Sequence, residues 1–210
     1  MKNFEKKIYS QNGEDGVIEH IFEKIGFTNK VAVEFGVSAG GGGGQANTRL
    51  LAEQGWKVFW FDCDPASVVP DNVVFTQARL TSKNICSIFE SAGVPKDFDL
   101  LSIDVDGNDY HLREALSSYN PRVCVLEYNG CVDGATEYIM KEDDNYVWKN
   151  KERTFGASLK SLTQQAERLN YDLVYCDNRG VNSFFIKSNI NPFQKKSSEE
   201  AYVPLYWAWR

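Results

Sequence analysis

The chain has 210 residues, enough for one domain with a substantial core, and its 42% hydrophobic and 25% charged residues exclude a disordered polymer. A formal net charge of −6 without a clustered basic face argues against a general nucleic-acid binder, since neutralising phosphates takes concentrated lysine and arginine. Five scattered cysteines (Cys63, Cys86, Cys124, Cys131, Cys176) with no CxxC pair make a zinc site or disulfide framework unexpected.

The opening MKNFEKKIYS has no apolar signal core, and no run of about 18 apolar residues occurs anywhere, so a cytoplasmic, membrane-free protein is expected. After the turn Asn12-Gly13, acids Glu14 and Asp15 precede Val17, Ile18, Ile21, Phe22 and Ile25. That spacing marks one helical face, with Gly26 ending it. VAVEF (31–35) is short and β-branched, as a strand buried on both faces should be. Past a glycine segment, Asn47 or Thr48 can cap a helix through Leu50–Ala52, closed by Gly55.

KVFWFD (57–62) reads as a second strand and Val73–Thr76 as a third, followed by a helix over Ser82–Ala92. FDLLSIDVD (98–106) is the fourth strand, Tyr110–Leu116 a helix, and RVCVLEY (122–128) the fifth strand. A helix over Thr154–Asn170 feeds YDLVYCD (171–177), a turn at Asn178-Arg179-Gly180 and VNSFFIK (181–187), close enough for a hairpin. Alternating strands and helices imply an α/β fold: a Rossmann-like, mostly parallel seven-stranded sheet with an antiparallel C-terminal hairpin. Residues 1–188 form the expected domain, with the long polar connection 129–153 as a substrate lid. Residues 189–210 form a tail whose aromatics pack on the domain or on a partner, and a homo-oligomer stays open.

In open α/β sheets ligands bind outside the carboxyl ends of the strands. Four strands here end in acids: Glu34, Asp62, Asp104 with Asp106, and Glu127. Each alone could merely cap a following helix. As a set they need a ligand, a metal or hydrogen bonds to offset their repulsion. The first turn is ExGxxxG (Glu34, Gly36, Gly40), not the GxGxxG that presses amides against a pyrophosphate. An acid before the first glycine repels phosphate but suits a cationic amino-acid moiety. Asp62, 26 residues after Gly36, is placed to accept both hydroxyls of a ribose. Ribose plus an ammonium describes S-adenosylmethionine better than a nicotinamide dinucleotide.

The blocks YSQNGEDGVI (9–18), VEFGVSAG (33–40) with NTRLL (47–51), WFDCDP (60–65), FDLLSIDVDGNDY (98–110), VLEYN (125–129), and GASL (156–159) with VNSFFI (181–186) follow in order. In them the chain resembles the class I S-adenosylmethionine-dependent methyltransferases, and more narrowly the FkbM-like group. The resemblance implies that Glu34, Gly36 and Gly40 line the methionine side of the cofactor and that Asp62 binds its ribose. It further implies that Gln11 and Thr48 touch the methionine carboxylate, and that Asp104 lies between cofactor and substrate as a catalytic group. The implied activity is methyl transfer to a hydroxyl of a small polar substrate such as a sugar or secondary metabolite. N-methylation and a non-catalytic cofactor-binding module are the alternatives. The run Gly40–Gly44 and Ala39 depart from the usual loop, and Ala78-Arg79-Leu80 lacks the acid many relatives use for adenine.

Asp104, Glu127 and Asn129 also resemble the oxygen-ligand site of catechol-type O-methyltransferases, which implies Mg²⁺ as a possible second cofactor. For a proton acceptor the candidates are His111, just past the fourth strand, then Tyr128 and Asp106. His20 reads as a helix-face residue. Methyl transfer asks for in-line positioning more than for acid–base power, so a weak base is no obstacle.

Overall fold

The computed structural model describes residues 1–37, 44–66, 68–149 and 152–206. Its helices are α1 (Glu14–Ile25), α2 (Arg49–Glu53), α3 (Ile85–Ala92), α4 (Asp109–Ala115), α5 (Leu159–Arg168) and α6 (Ser198–Ala201). The strands are β1 (Val31–Phe35), β2 (Lys57–Asp62), β3 (Val73–Gln77), β4 (Asp97–Ile103), β5 (Asn120–Glu127), β6 (Tyr171–Cys176) and β7 (Asn182–Lys187). Most bounds fall within three residues of those expected. The exception is α5, expected from Thr154 but capped by Ser158, whose Oγ accepts from the Ser161 amide. The chain before it cannot be helical, because Gly156 sits at φ +53° and Ala157 bridges Ile139.

The seven strands form one Rossmann-like sheet in the order β3-β2-β1-β4-β5-β7-β6. All neighbouring pairs from β3 to β5 are parallel, while β7 runs antiparallel to both β5 and β6. The β6–β7 hairpin expected from the sequence is therefore present, but its second strand slots inward beside β5 and leaves β6 at the edge. Strand order reverses beside β1, with β2 on one side and β4 on the other, so a crevice opens at their carboxyl ends.

Side-chain alternation splits the core into two layers. Val33, Phe35, Phe59, Phe61, Leu101 and Ile103 face a cluster completed by Ile85, Phe89, Leu112 and Leu162 of α3, α4 and α5. Ala32, Val58, Trp60 and Leu100 face the other way, onto Val17, Ile18 and Ile21 of α1 and Leu51 of α2. Trp60 is fully buried, and its Nε1 donates to Thr48 Oγ1 at 2.8 Å, so the large ring carries no unpaired polar atom. Among the described residues no helix is long and apolar enough to cross a membrane.

Buried acids fix the ends of the elements. Asp15 accepts from the amides of Ile8, Tyr9 and Ser10. Asp99 accepts from those of Thr28, Asn29 and Lys30 and pairs with Arg122 at 2.9 Å; these donors hold its pKa below the usual carboxylate range despite the opposing cost of burial. Asp177 ties the β6–β7 turn through the Arg179, Val181 and Asn182 amides.

Candidate active site

A cavity of about 720 Å³ opens at the carboxyl edge, and Glu34, Asp62, Asp104 and Glu127 all line it. The four strand tips thus deliver their acids to one place. Gly36 makes this convergence possible. Its φ is +77°, its amide donates to the Phe61 carbonyl at 3.1 Å, and a Cβ there would lie 1.7 Å from the Asp104 carbonyl oxygen. Only a residue without a side chain lets the β1 tip touch the β4 tip.

Glu34 lines the cavity, yet both its carboxylate oxygens are engaged within the protein. They accept from the Asn47 amide at 2.7 Å and from the Thr48 amide and hydroxyl at 2.9 and 2.5 Å. Burial pushes its pKa up to about 7, against those three donors. Thr48, which the resemblance placed against a cofactor carboxylate, is fully buried between Glu34 and Trp60 and does not line the cavity. It fixes Glu34. Gln11 does line the cavity, as do Asp62, Ala78, Arg79 and Leu80. Asp62 accepts from the Asp64 amide at 2.9 Å, which orients its carboxylate. Gly40 lies outside the described residues.

At the other end of the cavity Asp104, Asp106 and Glu127 bring one carboxylate oxygen each within 4.8 Å of one another. Two full charges at that distance repel by about 3 kcal/mol at an effective dielectric near 20. Burial followed by the neighbouring charges, Asp106 on Asp104 and Asp104 on Glu127, raises both pKa values well above the carboxylate range. Asp106 is raised by burial too. Glu127 Oε2 is buried without a donor. The cluster therefore takes up protons more readily than free carboxylates do and favours any cation that enters.

Asn129 is not part of this cluster, contrary to the ligand set expected from the sequence. Its Nδ2 donates to the Arg153 and Phe155 carbonyls at 2.8 and 2.9 Å, and its Oδ1 accepts from the Cys131 amide at 3.0 Å. The chain turns after β5, so Asn129 points beneath residues 153–155. Asp106 takes the vacated place because its φ of +61° folds the β4 tip back on itself. Asp109 secures that fold by accepting from the Val105 and Gly107 amides, each at 2.9 Å, and burial pushes its pKa up to about 7. Sequence reasoning missed Asp109. The available signal was an acid in the first turn of a helix directly after the strand tip.

His111, the expected proton acceptor, does not line the cavity, and its Nε2 lies 2.8 Å from the Met140 carbonyl oxygen. Tyr128 donates to the Val203 carbonyl at 2.6 Å and is also away from the lining. Neither side chain lines the cavity in this structure.

Residues 138–149 cover the cavity. They are tied by His111 to Met140, by Asn108 to Asp143 at 2.8 Å, and by Lys83 to Asp144 at 2.8 Å. Asp144, Tyr146, Val147 and Trp148 line the cavity from this segment. The described part of the tail packs on its own domain. Leu205 donates from its amide to the Gly130 carbonyl, Tyr206 to that of Arg179, and both residues join the lining.

The fold and the cavity define a Rossmann-like α/β domain with an acid-lined cavity at its switch point. No protein-family model matches the chain, and no curated protein matches it in sequence. Among solved structures it is similar to the Burkholderia thailandensis 1,6-didemethyltoxoflavin-N1-methyltransferase, which holds 1,6-didemethyltoxoflavin and S-adenosylhomocysteine. The TM-score is 0.46 at 12% identity, over 84% of this chain and 77% of that one. It is also similar to MycE methyltransferase from the mycinamycin biosynthetic pathway, in complex with Mg and S-adenosylhomocysteine. There the TM-score is 0.45 at 12% identity, over 90% of this chain, which spans about half (49%) of MycE. Likeness at this level carries no weight on what this chain binds.

Proposed function

We propose that this chain transfers a methyl group from S-adenosylmethionine to a hydroxyl of a small polar substrate, in the manner of the FkbM-like group. The observation that carries the reading is the convergence of Gly36, Asp62, Asp104 and Glu127 on one cavity, with acids where a dinucleotide site would need phosphate-binding amides. The residues present fit the cofactor. Asp62 has a carboxylate at the β2 tip for two ribose hydroxyls, Gly36 leaves the backbone bare beside the methionine portion, and Gln11 supplies an amide. Ala78 to Leu80 line the region where the adenine would lie.

When bound, the cofactor supplies an electrophilic methyl on a sulfonium, so the protein contributes position and a proton acceptor. Asp104 holds the acceptor hydroxyl and takes its proton, a role its raised pKa suits. Tyr146 and Trp148 shut water out from above. A second reading adds a divalent cation held by Asp104, Asp106 and Glu127. Three carboxylate oxygens within 4.8 Å and an orphaned Glu127 Oε2 favour it, since hard cations take such donors.

Calorimetry with S-adenosylhomocysteine and with a nicotinamide dinucleotide tests the reading. The former is expected to bind and the latter not. Asp62→Ala is expected to weaken S-adenosylhomocysteine by about 10-fold or more, through lost ribose hydrogen bonds. An unbound homologue, or an unchanged affinity in Asp62→Ala, refutes the placement.

A further inference from the structure

Among the described residues, seven carboxylates and a single arginine, Arg79, line the cavity. An anionic substrate entering it meets repulsion on almost every side, and a neutral one leaves the Asp104–Asp106–Glu127 cluster uncompensated. The uncharged part of the lining points the same way. Asn182 is 2% exposed and stands directly opposite Glu127 in the β5–β7 register, so the two side chains rise from the same face of the sheet. Its Nδ2 donates to Glu14 Oε1 at 2.9 Å, which fixes the amide with Oδ1 turned away from Glu14 and without a donor. Asn47, also in the lining and 5% exposed, likewise has an Oδ1 without a donor. Buried acceptors left without donors are costly, and a ligand that brings several N–H groups removes the cost. Tyr146 and Trp148, on the covering segment, add aromatic surface to the same wall.

We infer that the methyl acceptor is an amine-bearing polyol, of the amino-sugar class, whose protonated amine is held at the β4–β5–β7 tips by Asp104, Asp106, Glu127 and Asn182. This inference rests on the methyltransferase reading above and names the substrate class for it. The ammonium is the anchor and not the methylated atom, because a protonated nitrogen has no lone pair to attack with. The hydroxyl oxygen attacks the methyl carbon as the carbon–sulfur bond breaks, the sulfur leaves as the neutral thioether, and the hydroxyl proton passes to a carboxylate. One positive charge stays on the substrate throughout, facing acids.

The test uses protein first shown by calorimetry to bind S-adenosylhomocysteine, so that failure of the cofactor reading is recognised separately. The loaded protein is then titrated with glucosamine, N-acetylglucosamine and glucose 6-phosphate at matched ionic strength, and its melting temperature is followed with and without EDTA. Glucosamine is expected to raise the melting temperature, and the acetylated and phosphorylated sugars to leave it unchanged, in both series. Asp106→Asn removes the charge while keeping a residue that tolerates positive φ, and is expected to abolish the glucosamine shift. No shift with glucosamine, equal shifts with all three sugars, a shift that vanishes with EDTA, or a full shift in Asp106→Asn overturns the inference.

Discussion

Replacing Gly36 by alanine probes the joint between cofactor turn and reacting edge. The new Cβ would start 1.7 Å from the Asp104 carbonyl oxygen and 2.9 Å from its carbon, on a backbone at φ +77°. The left-handed backbone alone costs a side chain about 1–2 kcal/mol. Relieving the contact requires the β1 and β4 tips to part by about 1.3 Å, which strains parallel pairing that runs up to Phe35 and Ile103. A total of about 2–4 kcal/mol follows, at the high end for one added methyl. Because Gly36 and Asp104 both line the cavity and move apart, S-adenosylhomocysteine affinity is expected to fall by about 10-fold beyond any loss of folded protein. Urea unfolding at constant slope reads the first effect, and calorimetry with S-adenosylhomocysteine at a temperature where the variant is folded reads the second. A variant with wild-type midpoint and wild-type affinity would show that the β1 and β4 tips are not in contact as described.

Three further outcomes are expected. Glu34 and Asp109 have pKa values pushed up to about 7 by burial, and Asp104, Asp106 and Glu127 shift the same way. Groups raised in this manner stabilise fully below their unfolded values and lose that contribution as pH rises through about 7. The urea midpoint of the ligand-free protein is thus expected to fall between pH about 5 and about 8, and a rising midpoint would contradict the upward shifts of these acids. Asn129→Ala removes three hydrogen bonds beneath the covering segment and is expected to cost about 2–4 kcal/mol. Chemical denaturation showing under about 1 kcal/mol would reopen a role for Asn129 outside that support. His111→Phe breaks the tie to Met140, so proteolysis within residues 140–149 is expected to quicken while S-adenosylhomocysteine affinity holds. A lost affinity would return His111 to the site.

Strand positions were legible because buried β-branched runs are short and bounded by glycine or acid, as in VAVEF between Lys30 and Gly36. The carboxylate edge was legible for the same reason, since the last residue of a parallel strand faces the ligand side whatever its neighbours do. What failed lay in the turns beyond the strands. Asn129 lies two residues past β5 and His111 eight past β4, against three for Asp106, and the backbone turns there in ways that spacing does not encode. Asp106 at φ +61° swings into the cavity, whereas Asn129 is drawn under Phe155 and His111 rides outward on α4 to Met140. Thr48 failed differently. The resemblance set it against the methionine carboxylate, and in the structure its hydroxyl bonds Glu34 and the indole of Trp60, a partner from another strand.

The acids divide by their donors, and that division separates scaffold from site. Glu34, Asp99, Asp109 and Asp177 each accept two or more backbone amides and leave no buried carboxylate oxygen without a donor, so their burial is compensated inside the chain. Glu127 keeps a buried oxygen with no donor, and it lies with Asp104 and Asp106 within 4.8 Å. Stability alone would have this cluster replaced by neutral residues, since uncompensated buried charge destabilises. Its presence at the switch point, next to a glycine whose φ and close contact disfavour any side chain, places the cost where a ligand can offset it. A cationic ligand at that cluster is therefore expected to flatten the pH dependence of stability as well as to raise the midpoint, because it supplies the compensation that protons supply in its absence.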